Sequence, residues 1–252
     1  MRLAVLDLIG TTIADGGLVL DAVRRGLVSV GVPVAGPRYP ALQRQARATT
    51  DRPVLRVFAD LLDGDLRRAR LAADAYEAHL RDAAERGRVR EVPGAGAAIT
   101  ALREAGTTVA LVGGVGAETR DVLLAGAGLA ADLLFAPADV GGRGWPDPDL
   151  VLAAVKEVDA EAADCVVVAD STAGMAAAAR AGAGLALGVQ SGAHSSARLR
   201  AAGAHDVLVS VVELPARLGL PQPRRQPPAQ PGPWDDGQLV SSDSLATGGV
   251  SP

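Results

Sequence analysis

Apolar residues along this chain fall into two kinds of run, and the change between them predicts most of the architecture. The first run, Leu3 to Leu8, is short and is stopped by Gly10-Thr11-Thr12, the punctuation of a buried parallel strand entering a loop. From Leu18 to about Arg88 the spacing becomes helical. Leu18, Ala22, Leu27 and Val30 share one face, Val54, Leu55, Phe58, Leu61 and Leu62 share another, and no strand interrupts the stretch. After Val92-Pro93-Gly94 the chain alternates. Helices are predicted at 95–104, 118–125, 148–158, 173–181 and 195–201, and strands at 108–112, 133–135, 165–169, 185–189 and 207–209.

Strand–helix alternation of this kind predicts an α/β fold, a doubly wound parallel sheet of Rossmann-like form with helices on both faces. The all-helical stretch then reads as an inserted α-helical cap. The expected division is a core of residues 1–15 and 91–218, a cap of residues 16–90, and a tail of residues 219–252. From Pro221 the composition turns to Pro, Gln, Gly, Ser and Asp with almost no apolar periodicity, which predicts disorder there.

Composition narrows the functions available. A length of 252 residues with 48% hydrophobic content suffices for one substantial core plus a small insert. The formal net charge of −4 carries no basic or acidic block, so neither nucleic acid nor a membrane is an expected partner. A small phosphorylated or anionic metabolite is the expected ligand, and a monomer or homodimer the expected assembly. The apolar run before Asp7 is too short for a signal peptide or a membrane span, so a cytoplasmic location is expected. Cys165 is the single cysteine, set in an apolar run where a thiol behaves as a small core residue. Lys156 is the only lysine, so any lysine chemistry would fall to it.

Two acids stand where apolar strands end. Asp7 closes Val5-Leu6-Asp7 ahead of the Gly-Thr turn, and Asp170 closes Val166-Val167-Val168-Ala169-Asp170 ahead of Ser171-Thr172. Such carboxylates can act as a nucleophile or as ligands to a hard cation, or they can merely form turns and cap helices.

Taken together and in this order around a helical insert, the two segments resemble the haloacid dehalogenase (HAD) superfamily over roughly Arg2 to Leu218. Asp7-Leu8-Ile9-Gly10-Thr11-Thr12 followed by Gly17-Leu18-Val19 looks most like the phosphonoacetaldehyde hydrolase, or phosphonatase-like, subgroup. Phosphoglycolate-phosphatase-like members share that core and cap placement. The resemblance implies Asp7 as the nucleophile. It implies Mg2+ held by Asp7, the Ile9 carbonyl and Asp170, three protein oxygens being a credible share for an ion that keeps several waters. Thr11 and the Gly113-Gly114 turn are the implied phosphate-binding elements, with backbone amides able to face an anion.

Departures from the family pattern are specific. Ile9 stands where phosphatases of the superfamily carry a proton-donating aspartate. Arg52 stands where phosphonoacetaldehyde hydrolases place a Schiff-base lysine; arginine forms no Schiff base but can clamp an anion bidentately. Glycine at 113 replaces a phosphate-binding hydroxyl. Before Pro146-x-Pro148 the basic position holds Trp145, and Arg143 lies two residues too early. Loss of a general acid costs about 10²–10⁴ in rate, and loss of one electrostatic donor about 10²–10³. The expectation is therefore a HAD hydrolase-like protein of phosphatase ancestry in which Mg2+-dependent phosphoryl hydrolysis is weak or lost. The alternative is a pseudoenzyme that keeps the fold and binds a small anionic metabolite or a protein partner.

Overall fold

In a computed structural model of the protein, residues 1–49 and 52–220 are described. Six parallel strands form one sheet: β1 (Leu3–Asp7), β2 (Thr108–Val112), β3 (Leu133–Phe135), β4 (Cys165–Ala169), β5 (Leu185–Val189) and β6 (Asp206–Leu208), in the spatial order β3-β2-β1-β4-β5-β6. Strands β1, β2 and β4 are nearly continuous apolar runs with almost every residue buried, as expected of strands covered on both faces. Side chains of β1 alternate between the two sides. Ala4 and Leu6 join one apolar cluster, and Leu3 and Val5 the other.

Helices α1 (Leu18–Ser29), α2 (Tyr39–Arg47), α3 (Val54–Leu61) and α4 (Leu66–Glu85) form the insert. The single helical stretch expected from periodicity is thus four helices, and a break lies at Asp63 and Gly64, both at positive φ. The apolar face of α3 is Val54, Val57, Phe58 and Leu61. Leu55, assigned to that face from the sequence, is 40% exposed, because positions 54, 57, 58 and 61 line up at helical spacing and 55 falls beside them. Phe58 meets the Tyr76 ring edge-on at 5.9 Å between centroids.

The remaining helices flank the sheet: α5 (Ala95–Glu104), α6 (Ala117–Ala127), α7 (Asp149–Glu157), α8 (Thr172–Ala181), α9 (Ser196–Ala201) and α10 (Leu214–Arg217). Predicted strands and helices after residue 94 recur within a few residues of these bounds. No helix among the described residues is long and apolar enough to cross a membrane. The expected disorder of the Pro-rich tail falls on residues 221–252, outside the described residues.

The insert is bound to the sheet layer by polar contacts as well as packing. Glu77 of α4 accepts hydrogen bonds from the Gly116 amide (2.8 Å) and the Thr119 hydroxyl (2.7 Å) at the start of α6, where a carboxylate also meets the positive end of the helix dipole. Val54 donates its amide to the Gly114 carbonyl at 3.1 Å. These bonds place α3 and α4 beside the loop that follows β2.

Cys165 is fully buried in β4, and burial pushes its thiol from an ordinary value of 9.0 up to about 12. Folding therefore holds this proton more tightly than the unfolded chain does. The stability this contributes is intact below about pH 9 and is lost as the pH rises towards 12. Ellman's reagent at pH 8 is expected to leave Cys165 unmodified in the native protein and to titrate one thiol per chain in denaturant; rapid modification of the native protein would contradict this burial.

Candidate active site

Register places the two acids side by side. Asp7 pairs with Val112 of β2, and Leu6 with Val168 of β4, so Asp170 follows immediately on the residue beside Asp7. Sequence connections run outward from β1 in both directions across the sheet. The carboxyl ends of β1 and β4 therefore flank the point where strand order reverses, which is where open α/β sheets form their ligand crevice.

Both carboxylates are 5% exposed and are anchored by backbone. Asp7 accepts the Leu8 amide at 2.8 Å. Asp170 accepts the Ala193 amide at 2.7 Å through Oδ2, and its carbonyl accepts the His194 amide at 3.2 Å. A Cβ on either Gly10 or Gly192 would overlap the Asp170 carboxylate, so that side chain occupies a slot that only glycine leaves open on both sides. Gly10 also takes φ +93°, a conformation of low steric cost only to glycine.

The loop after β5 ties the arrangement together. Ser191 donates its hydroxyl to the Gly10 carbonyl at 2.7 Å, and His194 Nδ1 accepts the Thr172 amide at 2.9 Å. Beside Asp170, Ser171 caps α8 by accepting the Gly174 amide at 3.0 Å. The two roles that the sequence left open for this segment are thereby divided: Ser171 caps the helix and Asp170 faces the crevice.

A cavity of about 210 Å³ lies between the strand ends and the insert, lined by Asp7, Leu8, Ile9, Gly113, Gly114 and Asp170 among others. Five of the candidate site residues thus converge. Gly113 is explained by its neighbour, since a Cβ there would stand 3.2 Å from that of Leu8, tighter than ordinary packing. Thr11 does not line the cavity. It is fully buried, and its hydroxyl has no hydrogen-bond partner among the described residues; the adjacent Thr12 hydroxyl instead bonds the carbonyls of Asp7 and Leu8 at 3.0 Å.

Neither candidate arginine reaches the cavity lining. Arg52 faces Asp60 at 3.4 Å on the insert. Arg143 is exposed and pairs with Asp149 at 2.5 Å. Its loop has Gly144 set against Pro53, where a Cβ would come to 3.1 Å. Trp145, at the position where the family pattern has a base, is 1% exposed and packs in the cluster of Leu3, Val5, Leu150 and Met175. It fills the core rather than the site.

Three further polar side chains line the cavity without having been read from the sequence: Asp15, Arg47 and Tyr76. Asp15 accepts the Val19 amide at 2.9 Å at the start of α1. Burial, with the charges of Asp15 and Glu77, pushes the Tyr76 phenol upward, so it remains a hydrogen-bond donor at neutral pH. Gly192 and Ala193 complete the lining. The Gly-containing loop Gln190-Ser191-Gly192 at a strand end was the available signal for them.

A doubly wound sheet with paired acids at its switch point and helices inserted after the first strand marks an α/β protein of the HAD type. The chain belongs to that family: the model of the haloacid dehalogenase-like hydrolases matches residues 1–182. No curated protein matches its sequence significantly. Solved structures of similar fold include a hydrolase from Pseudomonas syringae, with TM-score 0.75 and 22% identity over 87% of this chain and 98% of that one. A phosphonoacetaldehyde hydrolase-like protein from Oleispira antarctica has TM-score 0.72 and 22% identity, over 86% and 91%. A HAD family hydrolase from Deinococcus radiodurans R1, solved with bound phosphate and sodium, has TM-score 0.63 and 26% identity, over 87% and 95%.

The slot around Asp170 has a direct consequence for stability. Gly192→Ala is expected to lower the unfolding free energy by about 1–3 kcal/mol, the usual cost of overpacking, measured by equilibrium urea denaturation. An unchanged midpoint would mean that Asp170 does not sit against Gly192.

Proposed function

We propose that this protein is a Mg2+-dependent, phosphatase-like hydrolase of small phosphate esters whose turnover is slow and falls steeply as the leaving group becomes more basic. The observation that carries this reading is the convergence of Asp7 and Asp170 in one cavity, with the second held in a glycine slot. Two carboxylates and a backbone carbonyl are a donor set suited to a hard divalent cation that retains waters. No group of three or more His, Cys, Asp or Glu side chains that could hold a metal ion occurs among the described residues, so a backbone carbonyl and waters would have to complete the donor set. Asp7, Asp170 and the Ile9 carbonyl would hold Mg2+, which would shield the charge on a phosphoryl group.

The rest is the work of this chain's own residues. Asp7, oriented by the Leu8 amide, would attack phosphorus, and the phosphoryl group would pass to its carboxylate as the ester oxygen leaves; water would then cleave the aspartyl phosphate, releasing phosphate and restoring the Asp7 carboxylate. Ile9 lines the cavity in place of a proton donor to that oxygen and has no proton to give. Gly113 offers no hydroxyl, and the core's own basic candidate, Arg143, is engaged with Asp149. Esters whose leaving oxygen departs readily as an anion should therefore react, and alkyl esters should lag.

Initial rates with Mg2+ are expected to be about 10²–10⁴ higher for p-nitrophenyl phosphate than for an alkyl phosphate of similar size, the range a general acid normally supplies. Asp7→Asn is expected to abolish both. Equal rates for the two esters would contradict the missing-acid account, and turnover surviving Asp7→Asn would exclude the aspartyl mechanism. If no ester reacts but phosphate still raises the melting temperature, the second reading stands, a HAD-fold binding protein, favoured by the pairing of Arg143 with Asp149 and by the burial of Trp145.

A further inference from the structure

The loop between β5 and α9 touches both acid-bearing loops, and Ser191 and His194 are the side chains that fasten it. Ser191 donates its hydroxyl to the Gly10 carbonyl at 2.7 Å, in the loop after β1. Around Asp170 the contacts are continuous. Gly192 leaves the room that the carboxylate fills, the Ala193 amide donates to Oδ2 at 2.7 Å, and the His194 amide donates to the Asp170 carbonyl at 3.2 Å. His194 then turns its ring back, and Nδ1 accepts the Thr172 amide at 2.9 Å across 22 residues of sequence. The residue is 5% exposed. While that bond is made Nδ1 carries no proton, and the ring proton sits on Nε2.

The start of α8 has a cap of its own. Thr172 is the first residue of that helix, so its amide has no partner within it, but Ser171 already secures the end by accepting the Gly174 amide at 3.0 Å. A second acceptor arriving from the loop after β5 therefore ties that loop to the segment carrying Asp170 more than it secures the helix. We infer that His194 is a positioning residue for the cation site: by holding the Thr172 amide it fixes the loop whose Ala193 amide orients the Asp170 carboxylate. This rests on the reading of Asp7 and Asp170 as ligands of a divalent cation, and deepens it. An amide on Oδ2 sets how the carboxylate plane is turned, and the outer partners that orient a ligand govern how tightly a metal is held. His194 is not among the residues lining the cavity, so it acts through Asp170 rather than on a bound molecule.

The test titrates Mn2+, as a stand-in for Mg2+, into the full-length protein and reads the free ion by electron paramagnetic resonance. His194→Ala is expected to weaken binding about 10–100-fold, the usual effect of removing an outer partner of a metal ligand. His194→Asn carries an acceptor on the atom next to Cγ, as Nδ1 is, and should recover most of the wild-type affinity. His194→Gln, whose acceptor lies further out, should behave as His194→Ala does. Asp65→Ala removes the side-chain cap of α4 in the insert; it should lower the melting temperature and leave Mn2+ affinity at the wild-type value, which separates lost stability from lost positioning. The inference is overturned if His194→Ala binds Mn2+ as wild type does, if His194→Asn is no better than His194→Gln, or if Asp65→Ala loses affinity in step with its melting temperature. Should His194→Ala fail to fold, the comparison of His194→Asn with His194→Gln decides. Mn2+ binding that Asp170→Asn abolishes but the His194 variants leave intact would remove the positioning role and leave the cation site standing. Absence of Mn2+ binding in wild type would overturn both.

Discussion

Everything at the candidate site depends on holding two buried carboxylates close together at the end of a parallel sheet. Burying one ionised acid is costly and burying two side by side costs more, so the surrounding backbone must supply compensation. Here it does so with the Leu8 amide on Asp7 and the Ala193 amide on Asp170. Glycines at 10 and 192 make the room, and the Ser191 hydroxyl pins the Gly10 carbonyl. The loops after β1 and β5 are thus committed to one pair of side chains. That commitment is hard to explain as turn formation alone, because Ser171 already meets the capping need of α8.

Other positions of the family pattern are given over to packing here. Trp145 completes the apolar cluster beneath α7 and α8, and Leu8 fills the space that a side chain at 113 would need. Arg143 is held outside by Asp149. Each change is locally favourable: a large aromatic buries well, and a close glycine turn avoids a clash. Together they leave a site lined by Asp7, Asp15 and Asp170 and by Arg47 of α2. The insert closes the cavity over the strand ends, and its bonds through Glu77 and Val54 to the core hold it in position.

Much of this was legible in the sequence, for physical reasons. Buried parallel strands must be apolar throughout, so β1, β2 and β4 stood out, and an acid ending two of them marked the crevice. Asp7, Ile9, Gly113, Gly114 and Asp170 were legible because each sits within a residue or two of a strand end, where register leaves little freedom. Arg47, Asp15 and Tyr76 were not, because periodicity tells which helix face is buried but not what that face meets across a cavity. Arg52 was singled out by its place in a motif, and it faces Asp60 of α3 instead. The breaks within 18–88 were obscured because the apolar pattern continues across them, and only Asp63-Gly64 marks one locally.

The central claim is that Asp7 and Asp170 form a divalent-cation site at the switch point of the sheet. Anomalous diffraction from crystals soaked in Mn2+, a stand-in for Mg2+ with a measurable signal, addresses it most directly. The account predicts one strong peak within coordinating distance of the carboxylates of Asp7 and Asp170 and of the Ile9 carbonyl, lost in Asp170→Asn. A peak elsewhere with none between the two acids, at saturating Mn2+, would contradict it.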